Sequence, residues 1–96
     1  MPEIDASSEI SRLRKEIAEI DSKIVRLAGK RMQCAEKIGD FKRSLGLDVT
    51  VPAVEEAVKA RYVSEAQKAG LSEECAVKLA EILIAEAKRV QMEKKV

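Results

Sequence analysis

Residues 13–42 read LRKEIAEIDSKIVRLAGKRMQCAEKIGDFK, and apolar residues recur along them every three or four positions. This spacing collects their side chains on one stripe of an α-helix. The stripe extends beyond the stretch on both sides and comprises Ile10, Leu13, Ile17, Ile20, Ile24, Leu27, Cys34, Ile38, Phe41 and Leu45. Between Leu27 and Cys34 the spacing predicts one more apolar residue, but the sequence has Arg31 there. This cation is the first candidate for a functional residue.

Two glycines, Gly46 and Gly70, divide the sequence into three predicted helices, because glycine readily adopts the left-handed conformation that commonly ends a helix. The residues expected to begin the helices are Ser7 or Ser8 as a cap, Pro52 in a first turn, and Ser72 as a cap. No segment alternates with the period of two that is typical of a strand. The sequence therefore predicts an all-α fold in a single domain, residues 1–96, with helices at about residues 8–45, 52–69 and 72–93.

The first predicted helix is too long for a monomer of this size. At 1.5 Å per residue it extends roughly 55 Å, whereas a folded chain of 96 residues has a radius of gyration of about 13 Å. Two shorter helices cannot cover a stripe of that length, but a second copy of the chain can. We therefore predict an intertwined homodimeric helical bundle. A simple coiled coil would explain the stripe, but not the two further helices.

The composition narrows the classes of function. Hydrophobic residues make up 46% of the chain and charged residues 36%, which favours a folded, soluble domain. No stretch approaches the roughly 20 apolar residues of a membrane span, and the start MPEIDASSEI has no signal-peptide pattern. We therefore expect a cytoplasmic protein without a membrane partner. A net charge of +1, with one Tyr and one Phe, argues against binding to nucleic acid.

The absence of histidine limits the chemistry further. Without an imidazole base, a histidine-bound metal or a glycine-rich phosphate loop, an enzyme of this sequence must act through Arg, Lys, Glu and Gln. We therefore expect no cofactor and no metal. Cys34 and Cys75 lie inside helical patterns without metal-ligand spacing, so we expect buried thiols. The sequence leaves open a disulfide between them.

Three cations are candidates for binding an anion. Lys42 lies eleven residues after Arg31, close to three helical turns, so both side chains project from nearly the same side, roughly 16 Å apart. Arg14 is roughly 25 Å from Arg31 within one helix, but in an antiparallel dimer it could complete the site of the other subunit. The structural alternative is that the Arg31 stem packs on the stripe and sets the register of the helices.

Gln91 and Glu55 are weaker candidates. Gln91 lies four and eight residues after Ala87 and Leu83, on the apolar side of the third helix, where the small Ala87 leaves space. Glu55 lies in the first turns of the second helix, where the helix dipole favours a carboxylate without any further function. From the residues alone, both could be ordinary surface positions.

Taken in order, these positions resemble the all-helical chorismate mutase family. The family begins with LRxxIxxIDxxIxxLxxxR, and residues 13–31 read LRKEIAEIDSKIVRLAGKR. It continues with AxxIGxxK, which AEKIGDFK matches at residues 35–42. A glycine-containing turn, a second helix, and a last helix with a glutamine near its C-terminal end follow. The register holds without a gap from Arg14 to Gln91, so the resemblance covers nearly the whole chain.

The resemblance implies rearrangement of chorismate to prephenate, in the biosynthesis of phenylalanine and tyrosine, by a homodimer with two equivalent sites. It implies catalytic roles for Arg31, Lys42 and Gln91. The arginine would bind a substrate carboxylate, Lys42 would contact a carboxylate and the ether oxygen, and Gln91 would donate to that oxygen. The further substrate-binding residues it implies are Arg14 from the partner subunit for the second carboxylate, Glu55 for the ring hydroxyl, and the backbone of Val51.

The chain departs from the family where the second helix begins, because it reads VPAVE in place of DPERE. Val51 replaces an aspartate, and Val54 replaces an arginine that lines the family's site, so Arg43 or Arg61 is a candidate for compensation. An isochorismate pyruvate lyase, which resembles this fold and shares the cations, is the alternative enzyme. A non-catalytic helical dimer that acts as a regulatory or interaction module is the alternative outside catalysis.

Overall fold

Three helices make up most of the structure, a computed structural model that describes residues 5–93. Helix α1 spans Ala6–Leu45, α2 spans Pro52–Ala69 and α3 spans Glu73–Glu93, and no strand occurs within the described residues. The predicted all-α class with one long and two shorter helices is confirmed. None of these helices is long and apolar enough to cross a membrane.

The chain forms two compact units, Met1–Lys30 and Arg31–Val96, and α1 contributes to both. The first unit exposes the apolar stripe that the sequence predicts. The large residues of the stripe in this unit are each between 47% and 64% exposed; they are Ile10, Leu13, Ile17, Ile20, Ile24 and Leu27. A continuous exposed apolar stripe of this kind is typical of a surface that packs on another chain.

The start of α1 differs from the prediction. The helix begins at Ala6, and neither Ser7 nor Ser8 is its cap. Instead, a carboxylate oxygen of Asp5 accepts a hydrogen bond from the backbone N–H of Ser7 (3.0 Å). Aspartate satisfies the free N–H groups of a helix start as well as serine does, and its charge also interacts favourably with the helix dipole.

The other helix ends agree with the local sequence signals. Ser72 caps α3, because its Oγ accepts a hydrogen bond from the Cys75 N–H (3.1 Å). Gly46 follows α1 and Gly70 follows α2, with φ angles of 68° and 77° that favour glycine. Helix α2 begins after Val51 without a side-chain cap, and a proline occupies its first turn.

Small residues form the core of the second unit. Its most buried apolar residues, none more than 6% exposed, are Ala35, Ala66, Ala76 and Ala80. Small side chains let helices pack at short interaxial distances. Helix α2 packs against α3, and buried Gly39 of α1 lies directly against Gln91 of α3. These contacts bring one face of each helix to the site.

Both cysteines are exposed free thiols, so the prediction of buried thiols is wrong. Helical spacing shows which residues share a face, but not whether another element covers that face. Cys34 lies on the α1 face that lines a pocket, and Cys75 lies in the first turn of α3. Neither position is enclosed within the chain.

Candidate active site

A pocket of about 410 Å³ opens in the second unit, among the C-terminal part of α1, α2 and α3. This volume falls within the roughly 300–1,000 Å³ that is typical of small-molecule sites. Much of the wall is apolar, and the charged and amide side chains that interrupt it are Arg31, Lys42, Glu55, Lys88 and Gln91. Within residues 5–93, no group of three or more Cys, Asp or Glu side chains could hold a metal ion. The pocket therefore suits a small ligand recognised by a few polar groups.

Helical spacing explains why these side chains meet. The pocket-lining residues of each helix recur about every three to four positions, so they share one face. They are Arg31, Cys34, Ala35, Ile38 and Lys42 on α1, Val54, Glu55 and Val58 on α2, Ile84, Ala87, Lys88 and Gln91 on α3, and Val49 and Val51 before α2.

Lys42 and Gln91 form a joined pair of donors in this pocket. The Lys42 ammonium donates to the carbonyl oxygen of Val49 (2.8 Å) and to Oε1 of Gln91 (3.3 Å). Gln91 is only 6% exposed, so its amide is held largely away from solvent. Because Oε1 accepts from Lys42, the NH₂ end of the amide is oriented as a donor. An ammonium and an amide donor held together suit a ligand oxygen that carries negative charge.

Arg31 contributes a second type of anion-binding group. Its guanidinium donates to the carbonyl oxygen of Leu83 at 3.5 Å, which is at the long end of the hydrogen-bond range. The side chain is half-buried, and a guanidinium has five N–H donors. Arg31 therefore keeps donors for the two oxygens of a ligand carboxylate.

Glu55 and Lys88 form an ion pair on another part of the wall. Lys88 Nζ lies 2.7 Å from Glu55 Oε2, and the two side chains are 34% and 23% exposed. Pairs on the helix surfaces, such as Lys59 with Glu56, join residues three or four positions apart within one helix. The Glu55–Lys88 pair instead joins α2 to α3 inside the pocket.

Residues 13–92 match the sequence profile of the family described as chorismate mutase type II. The chain belongs to this family. The chorismate mutase of Methanocaldococcus jannaschii is 29% identical over 83 residues, which cover 86% of this chain and 84% of that protein. The bifunctional chorismate mutase/prephenate dehydratase of Aquifex aeolicus is 40% identical over 50 residues, which cover 52% of this chain and 14% of that protein. No solved structure matches the chain significantly.

Membership of the chorismate mutase family confirms the predicted resemblance and the predicted enzyme class, an isomerase. The predicted site residues that line the pocket are Arg31, Lys42, Val51, Glu55 and Gln91. Arg14 is exposed and belongs to the first unit. The individual roles of these six residues stay predictions.

Neither arginine considered as compensation for Val54 lines the pocket of this chorismate mutase family member. Arg43 donates to the carbonyl oxygen of Gln91 (2.9 Å) and pairs with Asp40. It therefore holds the C-terminal part of α3 against α1. Arg61 is exposed on α2.

Lys88 is the charged pocket residue that the sequence analysis missed. It lies four residues after Ile84 and three before Gln91, so it shares their face. It interrupts this face as Arg31 interrupts the stripe of α1. The same test of spacing, applied to the third helix, would have found it.

Gly39→Ala is expected to lower both the stability and the activity of this chorismate mutase family member. A Cβ at this position would lie 2.7 Å from Cγ, 3.1 Å from Cβ and 3.3 Å from Cα of Gln91, so α3 has to move. We expect the overlap to cost about 1–3 kcal/mol, which outweighs the roughly 1 kcal/mol that alanine gains over glycine in a helix. Because Gln91 is displaced, kcat should fall about tenfold or more. Thermal unfolding and chorismate turnover measure the two effects.

Gly29→Ala is the matched control for this substitution. Gly29 also lies inside α1, but an added Cβ meets nothing within 4 Å. Alanine there should raise the melting temperature through helix propensity and leave kcat unchanged. If Gly39→Ala behaved like Gly29→Ala in both measurements, the close contact with Gln91 would not be what positions α3.

Proposed function

We propose that the chain converts chorismate to prephenate in the pocket of the second unit, as a step in the biosynthesis of phenylalanine and tyrosine. The observation that carries this proposal is the 3.3 Å contact between Lys42 Nζ and Gln91 Oε1, with Arg31 in the same pocket. Lys42 and Gln91 can meet one ligand oxygen while the guanidinium binds a carboxylate. Chorismate offers this combination, an ether oxygen together with two carboxylates.

The reaction is an intramolecular pericyclic rearrangement, in which the ether C–O bond breaks as a C–C bond forms. It needs no nucleophile and no proton relay, so the side chains act by position and charge. Arg31 would hold the enolpyruvyl arm over the ring in the reactive conformation, which removes much of the entropic barrier. Lys42 and Gln91 would stabilise the negative charge that develops on the ether oxygen. A bound substrate would displace water from the largely apolar wall, which would strengthen this effect.

Glu55 would accept a hydrogen bond from the ring hydroxyl, with the backbone of Val51 beside it. Both residues line the pocket, and the Glu55 side chain is 23% exposed. A carboxylate has about four lone-pair sites, so the contact with Lys88 leaves acceptor capacity for a substrate hydroxyl. The hydrogen bond between Glu55 and the hydroxyl would help to orient the ring relative to the enolpyruvyl arm that Arg31 binds.

We further propose that two copies of the chain, each a single domain, form an intertwined homodimer with two equivalent sites. The exposed stripe of the first unit supports this, because its large apolar side chains are about half exposed and covering the rest of each stabilises an assembly by about 1 kcal/mol, roughly half the value for full burial. Arg14, exposed next to Leu13 of the stripe, would then bind the second carboxylate in the partner's site.

Free thiols at Cys34 and Cys75 fit a reducing compartment, so we place this enzyme in the cytoplasm, acting without nucleic acid or membrane.

Isochorismate pyruvate lyase is the second candidate function, and Val54 is the observation that favours it. Val54 lines the pocket and is 57% exposed, at a position where the resemblance leads one to expect an arginine. Without that cation, the wall could accept a related dicarboxylate whose charges are placed differently. The lyase would use the same cations to eliminate pyruvate.

Product analysis distinguishes these functions. The purified chain is incubated with chorismate and, separately, with isochorismate, and the products are identified by chromatography, with Arg31→Ala as the control. We expect prephenate from chorismate and its loss in the control. Pyruvate and salicylate from isochorismate alone would assign the lyase. If a folded protein left both substrates unchanged, a non-catalytic regulatory module would be the better description.

A further inference from the structure

We propose that Lys88 is a positioning residue that acts through Glu55, an inference that rests on the proposed function. Its Nζ lies 2.7 Å from Glu55 Oε2, and both residues line the pocket. With side chains only 34% and 23% exposed, the pair is shielded from water over most of its surface. Partly buried charges interact more strongly than the exposed pairs on the helix surfaces.

The charge of the pocket supports a role for Lys88 in binding. The proposed substrate carries two carboxylates, and a glutamate without a counter-ion would repel them. Arg31 and Lys42 against Glu55 alone would leave one net positive charge in the pocket, and Lys88 raises it to two. Lys88 thus lets Glu55 accept a hydrogen bond from a hydroxyl without weakening the binding of a dianion.

The geometry of the pair supports a role in orientation. Glu55 extends from α2 and Lys88 from α3, so the ion pair holds the carboxylate from the facing helix. Lys88 also lies three residues before Gln91 on the same face of α3. Helix α3 therefore holds both the acceptor for the ring hydroxyl, through Lys88, and the donor for the ether oxygen, Gln91. The two groups that would contact opposite ends of the substrate thus keep a fixed separation.

A double-mutant cycle tests this inference through kcat and KM for chorismate. Lys88→Met should lower kcat/KM about tenfold, chiefly through KM, because the unpaired Glu55 carboxylate repels the substrate. Glu55→Gln is neutral and needs no counter-ion, so adding Lys88→Met to it should change kcat/KM by less than about twofold. Lys88→Arg keeps the charge and should restore most of the activity.

Lys59→Met is the matched control. Lys59 is 32% exposed and pairs with Glu56 at 3.5 Å, but it lies outside the pocket lining, so kcat/KM should not change.

Equal losses from Lys88→Met with and without Glu55→Gln would show direct substrate binding by Lys88 and overturn the inference. A lowered melting temperature with unchanged kinetics would also overturn it, because Lys88 would then be only a structural link. A wild-type chain that left chorismate unchanged would overturn the proposed function and this inference together, whereas an active wild type with additive losses overturns the inference alone.

Discussion

Lys42→Ala is expected to lower kcat for chorismate by about a thousandfold. The substitution removes the ammonium that would meet the ether oxygen, and it also removes the 3.3 Å hydrogen bond that orients the Gln91 amide. Loss of one fixed donor to a developing oxyanion typically costs about 2.7–4 kcal/mol, a factor of roughly 10²–10³. The disturbed second donor brings the effect to the upper end of this range. The loss should appear in kcat more than in KM, because the charge on the ether oxygen develops only in the transition state.

Steady-state kinetics with Lys37→Ala as the control provides the measurement. Lys37 is an exposed lysine on α1 outside the pocket lining, so its removal makes the same change of charge without touching the site. Lys42→Ala also loses the hydrogen bond to Val49 (2.8 Å), which should cost about 1–2 kcal/mol of stability, and circular dichroism should still show a folded helical protein. A Lys42→Ala protein with kcat within about threefold of wild type would contradict the assignment of Lys42 to the ether oxygen.

The helix ends could be predicted because each depends on a few neighbouring residues. Gly46 and Gly70 have the positive φ angles expected of residues that end helices, and Ser72 caps α3. The start of α1 was missed because Asp5 and two serines are all capable caps within four positions. Local preference does not rank such close competitors, which is why helix ends are uncertain by one or two residues.

Burial and ion pairing were harder to predict because both depend on residues far away in sequence. The spacing of Cys34 and Cys75 assigned each to a helix but could not show that both are exposed. Arg31 was found because it interrupts an otherwise continuous stripe. Spacing places Lys88 on the pocket-lining face of α3, but its pairing with Glu55, 33 positions earlier, cannot be derived from spacing.

The proposed shared site predicts that two inactive proteins regain activity when they are mixed. Arg14→Ala and Arg31→Ala should each lower kcat/KM by about a hundredfold or more, because each removes a charged hydrogen-bond partner of one substrate carboxylate. In a homodimer of either variant, both sites are damaged. In a mixed dimer, one site receives both substitutions and the other receives neither, because Arg14 and Arg31 of each site come from different subunits.

Unfolding and refolding an equal mixture of the two variants should therefore restore about a quarter of the wild-type activity, since half of the dimers are mixed and each has one intact site.

A mixture of Arg31→Ala with Lys42→Ala is the control. Arg31 and Lys42 line the pocket of one chain, so every site in that mixed dimer keeps one damaged residue and no activity should return. If the Arg14→Ala and Arg31→Ala mixture also stayed inactive while sedimentation showed dimers, Arg14 would not act across the subunit boundary. Recovery in the first mixture alone would locate Arg14 in the partner's site without requiring a structure of the complex, because no other arrangement of these three residues separates the two mixtures.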